Sequence, residues 1–145
     1  MGGPVGWQIE FTVDTDLGPT AIWGALRDIE TGVVPMGSGD LRETTGPFEV
    51  GTVLRSTPVG IDTLESTITE LEPGRLLAIR TNFNGLVLLL RHVLDPLDGA
   101  GTRIARRLEI SGPAADRQGP VAGPRISADY PQALDELVAV ARRQV

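Results

Sequence analysis

The stretch NFNGLVLLLRHVLDPLDGAGTRIARRLEISGP, residues 82–113, reads as two strands set between three turns. Asn84-Gly85 is a strong hairpin signal because both residues tolerate positive φ in a two-residue loop. Asp98-Gly99 and Ser111-Gly112-Pro113 supply the other two breaks. Strands are therefore expected near 86–95 and 102–111. Working backward, Gly46-Pro47, Pro58-Val59-Gly60 and Glu72-Pro73-Gly74 separate further strands near 40–45, 50–57, 61–71 and 75–83. Six strands joined by short turns form a meander. Trp7, Ile9, Phe11 and Val13 alternate with Gln8, Glu10, Thr12 and Asp14, which adds a seventh strand with one buried face.

Helical periodicity flanks this sheet. Asp16 ahead of Pro19 suits a helix cap, and Ile22, Trp23 and Leu26 form an apolar stripe that closes near Asp28 and Gly32. A turn or a second short helix is expected to follow. Beyond Gly112-Pro113 the period lengthens, with Ile126, Tyr130, Leu134, Leu137 and Ala141 at spacings of three and four. Pro120, Pro124 and Pro131 predict an irregular start and a kink. The expected fold class is α+β: a curved seven-stranded antiparallel sheet, two short helices after the first strand, and a long kinked C-terminal helix. No internal repeat or composition break divides residues 1–145, so one domain is expected; a chain of this length buries roughly two-thirds of its unfolded surface.

Composition removes several function classes. With no cysteine there is neither a disulfide framework nor a thiol nucleophile, a composition that fits a reducing cytoplasm. Met1-Gly2-Gly3-Pro4 lacks the basic and apolar regions of a signal peptide, and the longest apolar run, Leu86 to Leu90, is too short to span a bilayer. A cytoplasmic protein that does not enter membranes is the expectation. The formal charge is -6 and every basic residue is an arginine. An acidic chain repels phosphate backbones, which argues against a nucleic-acid partner, and the lack of lysine removes Schiff-base chemistry. Gly37-Ser38-Gly39 and Gly99-Ala100-Gly101 lack the spacing of a phosphate loop. A single histidine without cysteine offers no zinc spacing, and no Ser-His-Asp order stands out, so neither a metal nor a cofactor is expected.

Several short segments carry a resemblance. Ala21-Ile22-Trp23 with Leu26 and Asp28, then Ile68-Thr69-Glu70-Leu71-Glu72-Pro73, are similar to the first-helix and strand-to-turn signatures of the START-related helix-grip superfamily (SRPBCC). Leu94-Asp95-Pro96, Gly101-Thr102-Arg103-Ile104, Ser111-Gly112-Pro113 and the helical Pro131, Ala133, Leu134 and Leu137 resemble its last hairpin and final helix. The polyketide cyclase/dehydratase or lipid-transport-like branch is the nearest in pattern. The resemblance implies a helix-grip fold around an internal cavity, a small apolar organic partner, and a monomer or homodimer. Where many members carry tryptophans after the first helix, this chain has Val33-Val34-Pro35-Met36-Gly37, so its cavity mouth is expected to be less aromatic.

Polar residues on the concave face are the informative ones. Alternation places Arg106 inward with Ile104, Leu108 and Ile110, and a buried guanidinium is costly unless a carboxylate, a carbonyl or an anionic ligand satisfies it. The same alternation turns His92 inward with Leu88, Leu90 and Leu94. Imidazole titrates near neutrality, so His92 is the candidate acid or base; a core histidine bonded to a backbone carbonyl is the structural alternative. Glu70 shares a face with Leu64, Ser66 and Ile68 and could pair with Arg106 or His92, or stand in water at the strand end. Tyr130 could donate its phenol to a substrate oxygen or to backbone. His92, Arg106, Glu70 and Tyr130 are the catalytic candidates. Met36, Thr81, Phe83, Leu90, Leu108 and Leu134 are expected to line the cavity, together with Arg55 if Val53 rather than Leu54 faces inward.

Two readings of function follow. One is a cofactor-independent cyclase, dehydratase or isomerase acting on a carbonyl-bearing apolar metabolite. The other is a non-catalytic carrier or sensor of a hydrophobic ligand. A third and lesser reading is a protein-interaction groove.

Overall fold

A computed structural model describes residues 5–35, 39–60 and 62–145. Seven strands, β1 (Trp7–Thr15), β2 (Leu41–Thr44), β3 (Val53–Thr57), β4 (Leu64–Glu72), β5 (Leu76–Phe83), β6 (Leu86–Pro96) and β7 (Thr102–Ser111), form one antiparallel sheet. Their order is β1-β7-β6-β5-β4-β3-β2, a meander whose last strand takes the first as its neighbour. The Asn84-Gly85 turn joins β5 to β6 with φ of 50° and 79°, and pairs Phe83 with Leu86. That is the mirror-image turn that a twisted hairpin requires.

Three helices lie among the described residues: α1 (Pro19–Glu30), α2 (Ala115–Ile126) and α3 (Tyr130–Gln144). Between β1 and β2 there is one helix of twelve residues followed by a turn, so the described residues contain no second short helix there. Asp16 does not cap α1. Gly18, in extended conformation, precedes Pro19 at the first helical turn, where the missing proline N–H costs nothing. Asp16 instead pairs with Arg142 near the end of α3 at 2.6 Å.

The C-terminal region is broken rather than kinked. Pro120 and Pro124 lie inside α2, and the interruption falls at Ser127–Asp129, just ahead of Pro131. Pro131 has no N–H to donate, its ring excludes the carbonyl four residues earlier, and it biases Tyr130 away from helical dihedrals. The Ser127 carbonyl consequently accepts from the Tyr130 N–H at 3.0 Å, closing a turn. This places Tyr130 at the start of a new helix, above the sheet.

Two apolar clusters fill the concave side. Ile22, Ala25, Leu26 and Ile29 of α1 pack with Leu134, Leu137, Val140 and Ala141 of α3 over Leu77, Leu94 and Ile104. Leu86, Leu108, Ile110, Ala115 and Tyr130 form the second, with Trp7, Ile9 and Phe11 against it. Here α2 comes unusually close to β1. A Cβ added at Gly119 would stand 2.6 Å from the Trp7 Cβ, and one at Gly123 would overlap the indole. Gly119→Ala is thus expected to destabilise the fold by about 1–3 kcal/mol, although alanine is the better helix former by about 1 kcal/mol. Chemical denaturation of the variant beside wild type checks the sign; a gain in stability would mean that α2 does not seat on Trp7.

Candidate functional site

Strand register carries the inward side chains into rows across the sheet. One row runs Phe11, Arg106, His92, Leu77, Leu71; the next runs Ile9, Leu108, Leu90, Ile79, Ile68. A third passes through Ile110, Leu88, Thr81, Ser66 and Leu54. His92 and Arg106 are directly opposed on neighbouring strands, where side chains on one face meet. The Arg106 Nη1 lies 3.0 Å from the His92 Nε2. An arginine can only donate, so Nε2 accepts and the neutral ring carries its proton on Nδ1.

His92 is only 1% exposed. Burial first, and then the Arg106 and Arg42 guanidinium groups, hold its pKa well below the usual histidine value, so the ring is neutral at pH 7. The Arg106 guanidinium sits over the Tyr130 ring at 4.2 Å, a cation–π contact, and Phe11 meets the same ring edge-on at 6.3 Å. Burial raises the Tyr130 pKa above the ordinary phenol value, against a smaller opposing effect of Arg106, so its hydroxyl stays protonated and can donate.

Two residues that periodicity and alternation did not single out complete the group. Glu30, 7% exposed at the end of α1, receives the Arg42 Nη1 at 2.8 Å. Glu30 falls four residues after Leu26 and eight after Ile22, on the same stripe, so a helix-face count places it inside. Arg42 was harder to find, because on the edge strand β2 the apolar Leu41 is 71% exposed and its polar neighbour turns inward. Glu30, Arg42, Leu54, Ser66, Thr81 and Leu90 border a hollow of about 120 Å³. Ser66 and Thr81 share a hydrogen bond there at 2.6 Å.

The other expected site residues divide by face. Leu90 and Thr81 reach the hollow, Leu108 is buried beside Tyr130, and Leu134 is buried between α1 and α3. Phe83 is half-buried on the inward face at the end of β5. Met36 lies outside the described residues. Arg55 borders the hollow, but Leu54 takes the buried position and the Arg55 guanidinium turns outward to Glu65 and Glu43, at 3.1 and 3.7 Å.

Glu70 is the clearest correction. Strict alternation from Ile68 turns it inward, yet a β-bulge shifts the β4–β5 register between Ile68 and Glu70. Thr69 is the extra residue, so Leu71 replaces Glu70 on the inner face. Glu70 thus pairs on the outer face with Arg91, the neighbour of His92 that points the other way.

Comparison with known proteins bears on the fold and the family. The family described as polyketide cyclase / dehydrase and lipid transport matches residues 6–142. No curated protein matches the sequence. Among solved structures, the Zhui aromatase/cyclase from a Streptomyces species is similar, with a TM-score of 0.68 and 20% identity over 94% of this chain and 92% of that one. Norcoclaurine synthase from Thalictrum flavum superposes with a TM-score of 0.71 at 14% identity, covering 96% of each chain. A hypothetical protein from Helicobacter pylori does so at 0.74 and 18% identity, covering 94% of this chain and 89% of that one.

Proposed function

Because the chain belongs to the polyketide cyclase/dehydrase and lipid-transport family, we propose that it holds a small, largely apolar organic molecule between the sheet and α3, with the oxygen-bearing end at Arg106. The observation that carries this reading is the contact chain His92–Arg106–Tyr130: a half-buried guanidinium held between an imidazole lone pair on one side and an aromatic face on the other. A fixed cation in a low-dielectric site stabilises charge developing on a substrate oxygen without reorganising, which suits enolate formation in a cofactor-independent cyclisation, dehydration or isomerisation. The apolar walls would fold the substrate toward its reactive shape. His92, neutral and engaged at Nε2, works as the partner that positions Arg106 and as a donor through Nδ1, rather than as a base poised near neutrality. Tyr130 supplies a second donor.

A carrier or sensor is the second reading, and one observation favours it. His92 is held well below its ordinary pKa and Tyr130 above its own, so neither has the near-neutral poise usual for a proton shuttle. Native mass spectrometry of the purified chain tests the shared claim, and incubation of the released molecule with fresh protein separates the two readings. A bound small molecule is expected; protein that emerges ligand-free and binds none of the candidate metabolites offered to it would refute the cavity. Glu70→Gln serves as a control in the same assay, and binding within about twofold of wild type is expected because a solvated surface pair contributes little.

A further inference from the structure

Among the described residues, four buried side-chain nitrogen or oxygen atoms have no hydrogen-bond partner: the Nε atoms of Arg42, Arg91 and Arg106, and the Nδ1 of His92. Arg91 belongs to the outer face, where it pairs with Glu70. The remaining three face the interior, and all three are donors, since His92 accepts at Nε2 and must carry its proton on Nδ1. No acceptor is orphaned. An unmet buried donor costs about 1–3 kcal/mol, more on a charged group, so three in one cluster call for a molecule that brings oxygen acceptors.

Charge points the same way. Arg42 is neutralised by Glu30 at 2.8 Å, whereas no carboxylate among the described residues lies within ion-pair distance of Arg106. Asp129 acts on Arg42 and on Tyr130, but it is exposed and screened by water. His92 and Tyr130 are neutral. Half-buried Arg106 therefore carries a positive charge that no carboxylate of the described residues compensates.

Resting on the ligand-holding role above, we infer that the natural ligand presents a monoanionic, acceptor-only head group, a carboxylate, to Arg106, and that amines are rejected.

Benzoate, benzyl alcohol, benzylamine and toluene share one ring and differ only in head group, and each is titrated at pH 7.5 by calorimetry and by the NMR signals of His92. Benzoate is expected to bind about tenfold or more tighter than benzyl alcohol, with no saturable binding of benzylamine, because charge-assisted hydrogen bonds are about twice as strong as neutral ones. In Arg106→Gln, benzoate should fall to the affinity of benzyl alcohol. If benzyl alcohol, toluene or benzylamine binds wild type as tightly as benzoate, the cavity stands and the carboxylate inference fails. Benzoate preference that survives Arg106→Gln overturns the assignment to Arg106. If none of the four probes binds wild type, the ligand-holding role itself fails, and the inference with it.

Discussion

Arg106→Leu is expected to lower turnover of the natural substrate by about a hundredfold or more while leaving the thermal midpoint little changed. The two halves have one cause. Removing a fixed cation at a developing oxyanion costs on the order of a hundredfold to a thousandfold in rate. The same half-buried cation is partly desolvated with no carboxylate to balance it, while its loss leaves the buried His92 Nε2 without its donor, so the two effects on stability oppose each other. Leucine is similar in volume and sits between Ile104 and Leu108 on the inward face of β7, so it should pack without strain. Steady-state kinetics with the co-purified molecule, and calorimetric unfolding of the same samples, measure both. In a carrier the loss appears as affinity instead. A variant with full activity would remove Arg106 from the site, and a variant that loses stability by several kcal/mol would mean the guanidinium is a structural tie.

The second large effect is acid destabilisation by His92. Its folded pKa is depressed while the unfolded chain titrates near 6.5. Above pH 6.5 both states are unprotonated at this ring, and its contribution to stability is fully present. As pH falls below 6.5 the unfolded state takes a proton that the native state refuses, so stability drops by about 1.4 kcal/mol per pH unit until the folded pKa is reached. Asp14 and Asp16, whose pKa values are lowered by hydrogen bonds from Arg103 and Arg142, act in a separate window below about pH 3.8. Urea unfolding at pH 7.5, 6.5, 5.5 and 4.5 reads the slope, and His92→Gln should flatten it relative to wild type. Because the chain has one histidine, its imidazole NMR signals report the titration without assignment. A midpoint at or above 6.5 in the folded protein would contradict a dry, doubly flanked ring.

The sheet was legible from local chemistry. Asn84-Gly85 forms a tight turn whichever chain contains it, and strict alternation of side chains holds along β1, β6 and β7, whose mutual pairing runs without a bulge. Those three strands suffice to turn His92 and Arg106 inward. Alternation fails where the backbone inserts a residue: nothing in Ile68-Thr69-Glu70 announces the bulge that sends Glu70 outward, since a bulge is settled by how β4 must bend to match β5. Arg55 was a similar case, because Val53 and Leu54 are both apolar and only packing against the α1–α3 cluster chooses between them.

What the residues determined by themselves was therefore the succession of seven strands, the α+β class and the inward sense of one imidazole and one guanidinium, all properties of short-range periodicity and turn stereochemistry, while the helix-grip reading came from the family resemblance. Tertiary structure alone decided that these two touch, that Tyr130 is delivered over Arg106 by the break before Pro131, and that Glu30 closes on Arg42 while Arg106 is left without a counter-charge. Charge compensation depends on distances between segments far apart in the chain, and no local pattern encodes those distances.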